Sequence, residues 1–231
     1  MKKVGSFAVA VMLIAGALCA QEPWVNEVTG EDELVQGKAR GFQGVWIRPD
    51  ADISKYGKLY LWNAIFQFRD VGGKNINQTT IAMSRGDEGP FVMSPDDQET
   101  FRQVVSETVV KELGRSKQFE VVDVVGPGTL IVRSAVIDIV SSVPPNVGRF
   151  TDVHLASVGE ATFLFELIDA ETGVIQARVG DRRTIQPPSR KNTVNPAQAN
   201  SATVWNDVER WARDQAQTLR KELDKAAKKA K

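Results

Sequence analysis

Hydrophobic and polar positions alternate with period two from Lys58 to Arg69 (KLYLWNAIFQFR). Tyr60, Trp62, Ala64, Phe66 and Phe68 fall on one side, and Leu59, Leu61 and Ile65 on the other. This pattern predicts a strand buried on at least one face. Gly72-Gly73 ends it, and a stretch rich in Gly, Asn, Thr and charge then reads as a long loop to Phe91. At Ser94-Pro95-Asp96-Asp97 the period changes. The hydroxyl can cap orphan amides, proline fits the first turn, and the acids meet the positive end of the helix dipole. Phe101, Val104, Val105, Val109 and Leu113 follow at helical spacing, and Gly114 closes the helix.

Beyond it the period returns to two. Phe119–Val125 and Leu130–Val143 read as strands joined by a tight turn at Pro127-Gly128, and Pro144-Pro145 breaks the second. Glu160–Asp169 and Val174–Gln186 form a predicted hairpin around Ala170-Glu171-Thr172-Gly173, where glycine suits a positive φ. A polar, proline-bearing connection, 187–200, leads to an amphipathic helix over about Thr203–Ala227, with Val204, Val208, Trp211, Leu219 and Leu223 on its apolar face. The order is strand, helix, three or four strands, helix. It implies an α+β two-layer sandwich, a mainly antiparallel sheet of about five strands with two long helices packed on one face. The first strand, the helix and the second strand could form one parallel crossover.

The amino-terminal pattern belongs to targeting. Lys2-Lys3, an apolar run from Val4 to Leu18 and the small pair Cys19-Ala20 read as an export signal over residues 1–20, too short to span a bilayer comfortably. Cleavage after Ala20 is favoured. Cys19 is the alternative, as a lipidation site, but a lipobox asks for a large aliphatic residue and a small one where this chain has Gly16 and Leu18. Residues 21–44 are polar and aperiodic, a flexible leader; residues 45–225 make one domain, and 226–231 a basic tail.

Composition then excludes whole classes. The chain has 29 basic and 29 acidic residues, and loss of Lys2 and Lys3 leaves a net charge of about −2, which gives no general attraction to nucleic acid. Cys19 is the only cysteine, so the domain has neither disulfide nor thiol. His154 is the only histidine, so no multi-histidine zinc site can form. It reads as a loop residue beside Asp152. No G-x-S-x-G elbow or phosphate-cradling loop occurs, and no cofactor is implied.

Several segments together resemble a bacterial cell-envelope family, domain of unknown function 3313, many of whose members are read as lipoproteins. They are Trp46-Ile47-Arg48-Pro49 through Asp52-Ile53-Ser54-Lys55-Tyr56, the strand after it, and Gly128–Arg133. Gly159-Glu160-Ala161 with Glu166–Gly173, Asp181-Arg182-Arg183 and the Trp205–Leu223 helix complete the set. Order and spacing carry the likeness, over about residues 42–225. It implies a family and no activity, and it supplies no catalytic residue. The Leu18-Cys19 junction departs from that family's usual lipidation signal. In element order the fold also looks like periplasmic domains of outer-membrane lipoproteins that activate penicillin-binding proteins, an analogy of fold only.

Each remaining candidate has a plain structural account. Tyr60, Trp62, Phe66 and Phe68 are a candidate ligand face for stacking sugar rings, although helices packing on the sheet need the same row. Asp50, Asp52 and Ser54 resemble the start of a calcium loop, but Tyr56 and Leu61 stand where ligands are required. Asp96 and Asp97 are explained as helix-start acids, and Glu171 as a turn residue. Glu160 and Glu166 share a strand face, weak grounds for acid–base chemistry. Arg85-Gly86-Asp87 matches an adhesion tripeptide. Lys225, Lys228, Lys229 and Lys231 make the terminus basic, suited to anionic lipid or to a solvated helix end. The expectation is a non-enzymatic accessory protein of the periplasm, reaching a membrane only through a lipidated Cys19 or the basic tail. It would bind an envelope protein, glycan or lipid. A carboxylate-dependent cell-wall hydrolase and a lipid or lipopolysaccharide carrier are the alternatives.

Overall fold

Period-two alternation places Ala161, Phe163, Phe165 and Leu167 on one face of a strand and Glu160, Thr162, Leu164, Glu166 and Ile168 on the other, and the fold grows outward from that strand. In the computed structural model the chain is described for residues 33–71, 90–144, 154–155, 157–186, 197–198 and 201–229. Residues 1–20, read as an export signal and including Cys19, and Arg85-Gly86-Asp87 lie outside them. The strands are β1 (Val35–Gln36), β2 (Gly44–Ile47), β3 (Lys58–Phe68), β4 (Glu120–Val122), β5 (Thr129–Ser141), β6 (His154–Leu155), β7 (Gly159–Asp169), β8 (Ile175–Ile185) and β9 (Ala197–Gln198). The helices are α1 (Pro95–Leu113) and α2 (Ser201–Lys229), with a 3-10 turn at Ile53–Lys55.

The fold is α+β, and its main sheet has seven strands in the order β1-β2-β8-β7-β5-β3-β4, wider than the five expected. Four of its junctions are antiparallel; β3 is parallel to both β5 and β4. The tight turn expected to join β4 directly to β5 instead carries the chain across the start of β3. α1 returns the chain so that Glu120 lies beside Lys58 and runs parallel to it. Gly128, at φ +68°, then accepts from the Gly57 and Lys58 amides and delivers β5 to the opposite edge of β3. Residues 33–44, read as part of a leader, carry β1, and Ala39 and Phe42 pack against the core. β6 and β9 form a separate two-stranded sheet in which His154 lies opposite Gln198.

Two bulges decide which side chains meet the helices. Between Trp62 and Ile65, β3 spends three residues where β5 spends two. Leu59 and Leu61 face the core before the bulge, and Phe66 and Phe68 after it, while Tyr60, Trp62 and Ile65 turn to the other face. The four aromatics at even positions therefore do not form one row, because an extra residue reverses the alternation. The second bulge lies in β5, between Ile137 and Val140. There Asp138 adopts φ +56°, a conformation aspartate tolerates better than most residues. It moves a carboxylate out of the core and lets Ile139 take the buried position.

Both helices cover the Phe163 face. Ser94 caps α1 by accepting from the Asp97 amide, and Phe101, Val105, Val109 and Leu113 face inward. α2 contributes Val204, Val208, Trp211, Ala212, Ala216, Leu219, Leu223 and Ala227. Phe163 stacks on Phe165 at 4.7 Å and lies 5.3 Å from Trp211, while Phe101 meets Phe68 and Phe66 edge-on. Burial of each such side chain contributes about 1.5–3 kcal/mol, the main source of stability in a domain without disulfides. Between the helices, buried Glu112 accepts from Arg220 at 3.0 Å and Arg115 at 2.6 Å, and Ser116 donates to Asp224. No described helix is long and apolar enough to cross a membrane.

Candidate functional site

The face of the sheet opposite the helices carries a row that no single strand reveals. Register sets Trp46 of β2 beside Arg178 of β8, Arg178 beside Glu166 of β7, Glu166 beside Arg133 of β5, and Arg133 beside Trp62 of β3. Glu166 accepts from Arg178 through Oε1 and from Arg133 through Oε2. The row runs from shelter to solvent, since Trp46 is 8% exposed and Trp62 54%. Tyr60 meets Trp62 edge-on at 6.4 Å. Arg133 reaches Glu166 through Nε and Nη2, and its neighbour in register on the other side is the exposed Trp62.

Nearer the bulge of β5 a second ionic group gathers on the same face. Asp138 accepts from Arg69 and Arg182, and Arg182 also donates to Glu160 at 2.7 Å. The Arg69 hydrogen bond, opposed by burial and helped by Arg182, holds Asp138 below the usual carboxylate range. Glu160 and Glu166 do share a face, as their spacing predicts, but arginines occupy both. Both carboxylates are thus engaged in ion pairs within the sheet face.

At one end of the sheet three segments named in the sequence resemblance converge. Asp169 Oδ2 accepts from the Tyr56 hydroxyl at 2.8 Å and from Lys55 Nζ at 3.0 Å, while the Glu171 and Thr172 amides donate to Oδ1. Burial pushes the Asp169 carboxyl up, but the bonds from Tyr56, Lys55 and the two amides outweigh it and hold the group well below its ordinary value. Tyr56 is pushed up to about 12, first by burial and then by its bond to Asp169. Glu171 accepts from the Gly128 amide, and Asp52 accepts from the Ser54 amide and hydroxyl. This is a clamp that ties the β7–β8 hairpin to the start of β3. Tyr56, at a position where a calcium loop would need a ligand, is part of the clamp, and Asp52 and Ser54 bond to each other beside it.

A third polar group lies under α2. Asp181, 1% exposed, accepts from Gln215 at 3.3 Å and from Arg183. Its second oxygen, Gln215 Oε1 and Trp211 Nε1 have no hydrogen-bond partner among the described residues. Burial raises the Asp181 carboxyl above its usual range against the pull of Arg183. Among the described residues no three His, Cys, Asp or Glu side chains gather to hold a metal ion. The basic end of α2 pairs Lys225 with Glu222 and edges a shallow depression with Lys221, Asp224 and Lys228.

Sequence reasoning marked Trp62 but missed Arg133, Arg178, Arg182, Arg69 and Asp138. The signal was their place at polar positions of period-two stretches; which arginine meets which carboxylate depends on register.

A family model described as "protein of unknown function" (DUF3313) matches residues 26–214. No curated protein matches the chain. Among solved structures, a DUF330 protein from Xanthomonas campestris is 10% identical, with 80% of this chain and 92% of that one covered at a TM-score of 0.39. The PelC dodecamer from Paraburkholderia phytofirmans is 9% identical, with 78% and 96% covered at 0.29. A candidate lipoprotein from Caulobacter crescentus is 17% identical, with 55% and 83% covered at 0.31. Likenesses this distant leave the function of this chain to its own residues.

Proposed function

From the premise that the chain belongs to the DUF3313 family, whose description assigns no activity, we propose that it is a non-enzymatic accessory protein of the bacterial envelope. It is exported to the periplasm and binds a partner there through the sheet face opposite its helices. The single observation that carries this reading is the contrast between faces: one is filled by Phe101, Phe163, Phe165 and Trp211, while the other presents Trp62 and Tyr60 beside an arginine–glutamate row that fixes its geometry. An exposed tryptophan next to an oriented guanidinium suits recognition, because aromatic and arginine side chains supply most of the energy at interfaces. The hydrolase alternative is disfavoured by the arginines on Glu160 and Glu166. A lipid carrier needs space between sheet and helices, where these aromatic rings pack.

The test is affinity purification of the tagged protein from envelope fractions, with mass spectrometry of the captured material and of the mature amino terminus. The expected result is a defined set of envelope components captured by the wild type and lost by Trp62→Ala, from a chain processed near residue 20. Turnover of purified peptidoglycan by the isolated protein, or an unprocessed chain in the cytosol, overturns the reading.

A further inference from the structure

We propose that the outer edge of β3 is a docking edge for an extended peptide, which adds to the sheet as a further strand beside Leu61–Phe68. The inference deepens the function proposed above and rests on it. β3 is eleven residues long, yet β4 covers its outer side only at Lys58, Leu59 and Tyr60. From Leu61 onward it pairs with β5 on one side and, among the described residues, with no strand on the other. Every second residue of such a strand turns its N–H and C=O groups outward, a template for another backbone.

Edge strands are usually protected by charge, by proline or by brevity. Leu61–Phe68 (LWNAIFQF) carries no charged residue and no proline. Its bulge does not hide the apolar side chains; it brings Trp62 and Ile65 to one face, 54% and 57% exposed. An added strand would cover both while satisfying the backbone, the way sheet-edge receptors hold extended peptides.

The occupant is a peptide and not a second β3. Antiparallel self-pairing that keeps matching faces together sets Trp62 opposite Ile65 of the partner subunit. The incoming strand then continues into the space β4 already fills beside Tyr60. A separate segment of about six residues, roughly 20 Å long, fits the open stretch. Because the edge bears no charge, the matching segment is uncharged at its facing positions, with apolar side chains toward Trp62 and Ile65. A sugar ring stacked on Trp62 would use the indole but leave the free backbone unused.

The probe is a capped six-residue peptide of alternating valine and threonine, with the same peptide N-methylated at alternate amides as control. Hydrogen exchange is read at residues 61–66 of the full mature chain. The expected result is slowed exchange there with the first peptide, weakened about tenfold or more by N-methylation and likewise by Ile65→Lys, a substitution on an exposed side chain. Unchanged exchange, or equal binding of the N-methylated peptide, overturns the inference. So does binding of soluble peptidoglycan fragments that Trp62→Ala abolishes and Ile65→Lys leaves intact, a result that would still support the sheet face as the binding surface. If neither substitution alters capture of envelope material, the function proposed above fails as well.

Discussion

Along β7, neighbouring residues live in two different solvents. Phe163 and Phe165 are sealed under α1 and α2, whereas Glu166, on the opposite face, meets arginines from both flanking strands and stays open to water at one side. Packing on the first face is dense and shared by every element of the core, so each side chain there contributes to stability. Charges on the second face exchange hydration for ion pairs of small net worth, so their contribution is to shape. The helix side therefore holds the molecule together, and the open side is free to differ in chemistry without unfolding it.

The largest break in this contrast should come from Phe163→Ala. Removing a stacked, buried ring leaves a cavity next to Trp211, and a loss of about 3–5 kcal/mol is expected in urea unfolding. Next comes Asp169→Asn, which breaks the clamp at the sheet end and leaves buried donors poorly matched, at about 1–3 kcal/mol at neutral pH. Its pH dependence has a definite sign. The folded-state value of Asp169 lies below that of the unfolded chain, so its stabilising share is complete above the unfolded value of about 3.9 and fades as pH falls below it. The gap between wild type and Asp169→Asn in urea midpoints should thus narrow as pH drops from 7 to 3.

Asp181→Asn sharpens the comparison from within the core. Its carboxyl is shifted in the opposite direction, so the ionised form is already disfavoured there. The amide can donate toward the orphaned Gln215 Oε1, while Arg183, exposed at its end, regains water. The expected change at pH 7 is below about 1 kcal/mol, and a loss near that of Asp169→Asn would refute it. The smallest effect belongs to Trp62→Ala, within about 0.5 kcal/mol by thermal denaturation, yet with loss of envelope capture. Were Trp62→Ala to cost as much as Phe163→Ala, the open face would be a structural surface and the division between faces would collapse.

Much of this architecture was readable in advance. Ser94-Pro95-Asp96-Asp97 starts α1, Gly173 at φ +71° turns the β7–β8 hairpin, and α2 occupies the predicted carboxy-terminal stretch, because each depends on interactions a few residues apart. The resemblance to the DUF3313 family was legible too, since order and spacing of segments survive without contacts. The open-face row was not. Arg133 is distant from Glu166 in the chain, Arg178 lies on the other arm of the hairpin, and a shift of one residue in any strand would have sent them to other partners or to the other face.

The chain by itself determined the kinds of its main elements and most of their limits, since these follow from local periodicity and turn residues. The fold alone decided that β3 lies between β4 and β5, that the bulges part Trp62 from Phe66 and lift Asp138 from the core, and that Tyr56 meets Asp169. The reason is that strand neighbours and register are chosen by the collective fit of one buried face. An extra residue in a ladder costs little locally, yet it reverses the direction of every side chain beyond it.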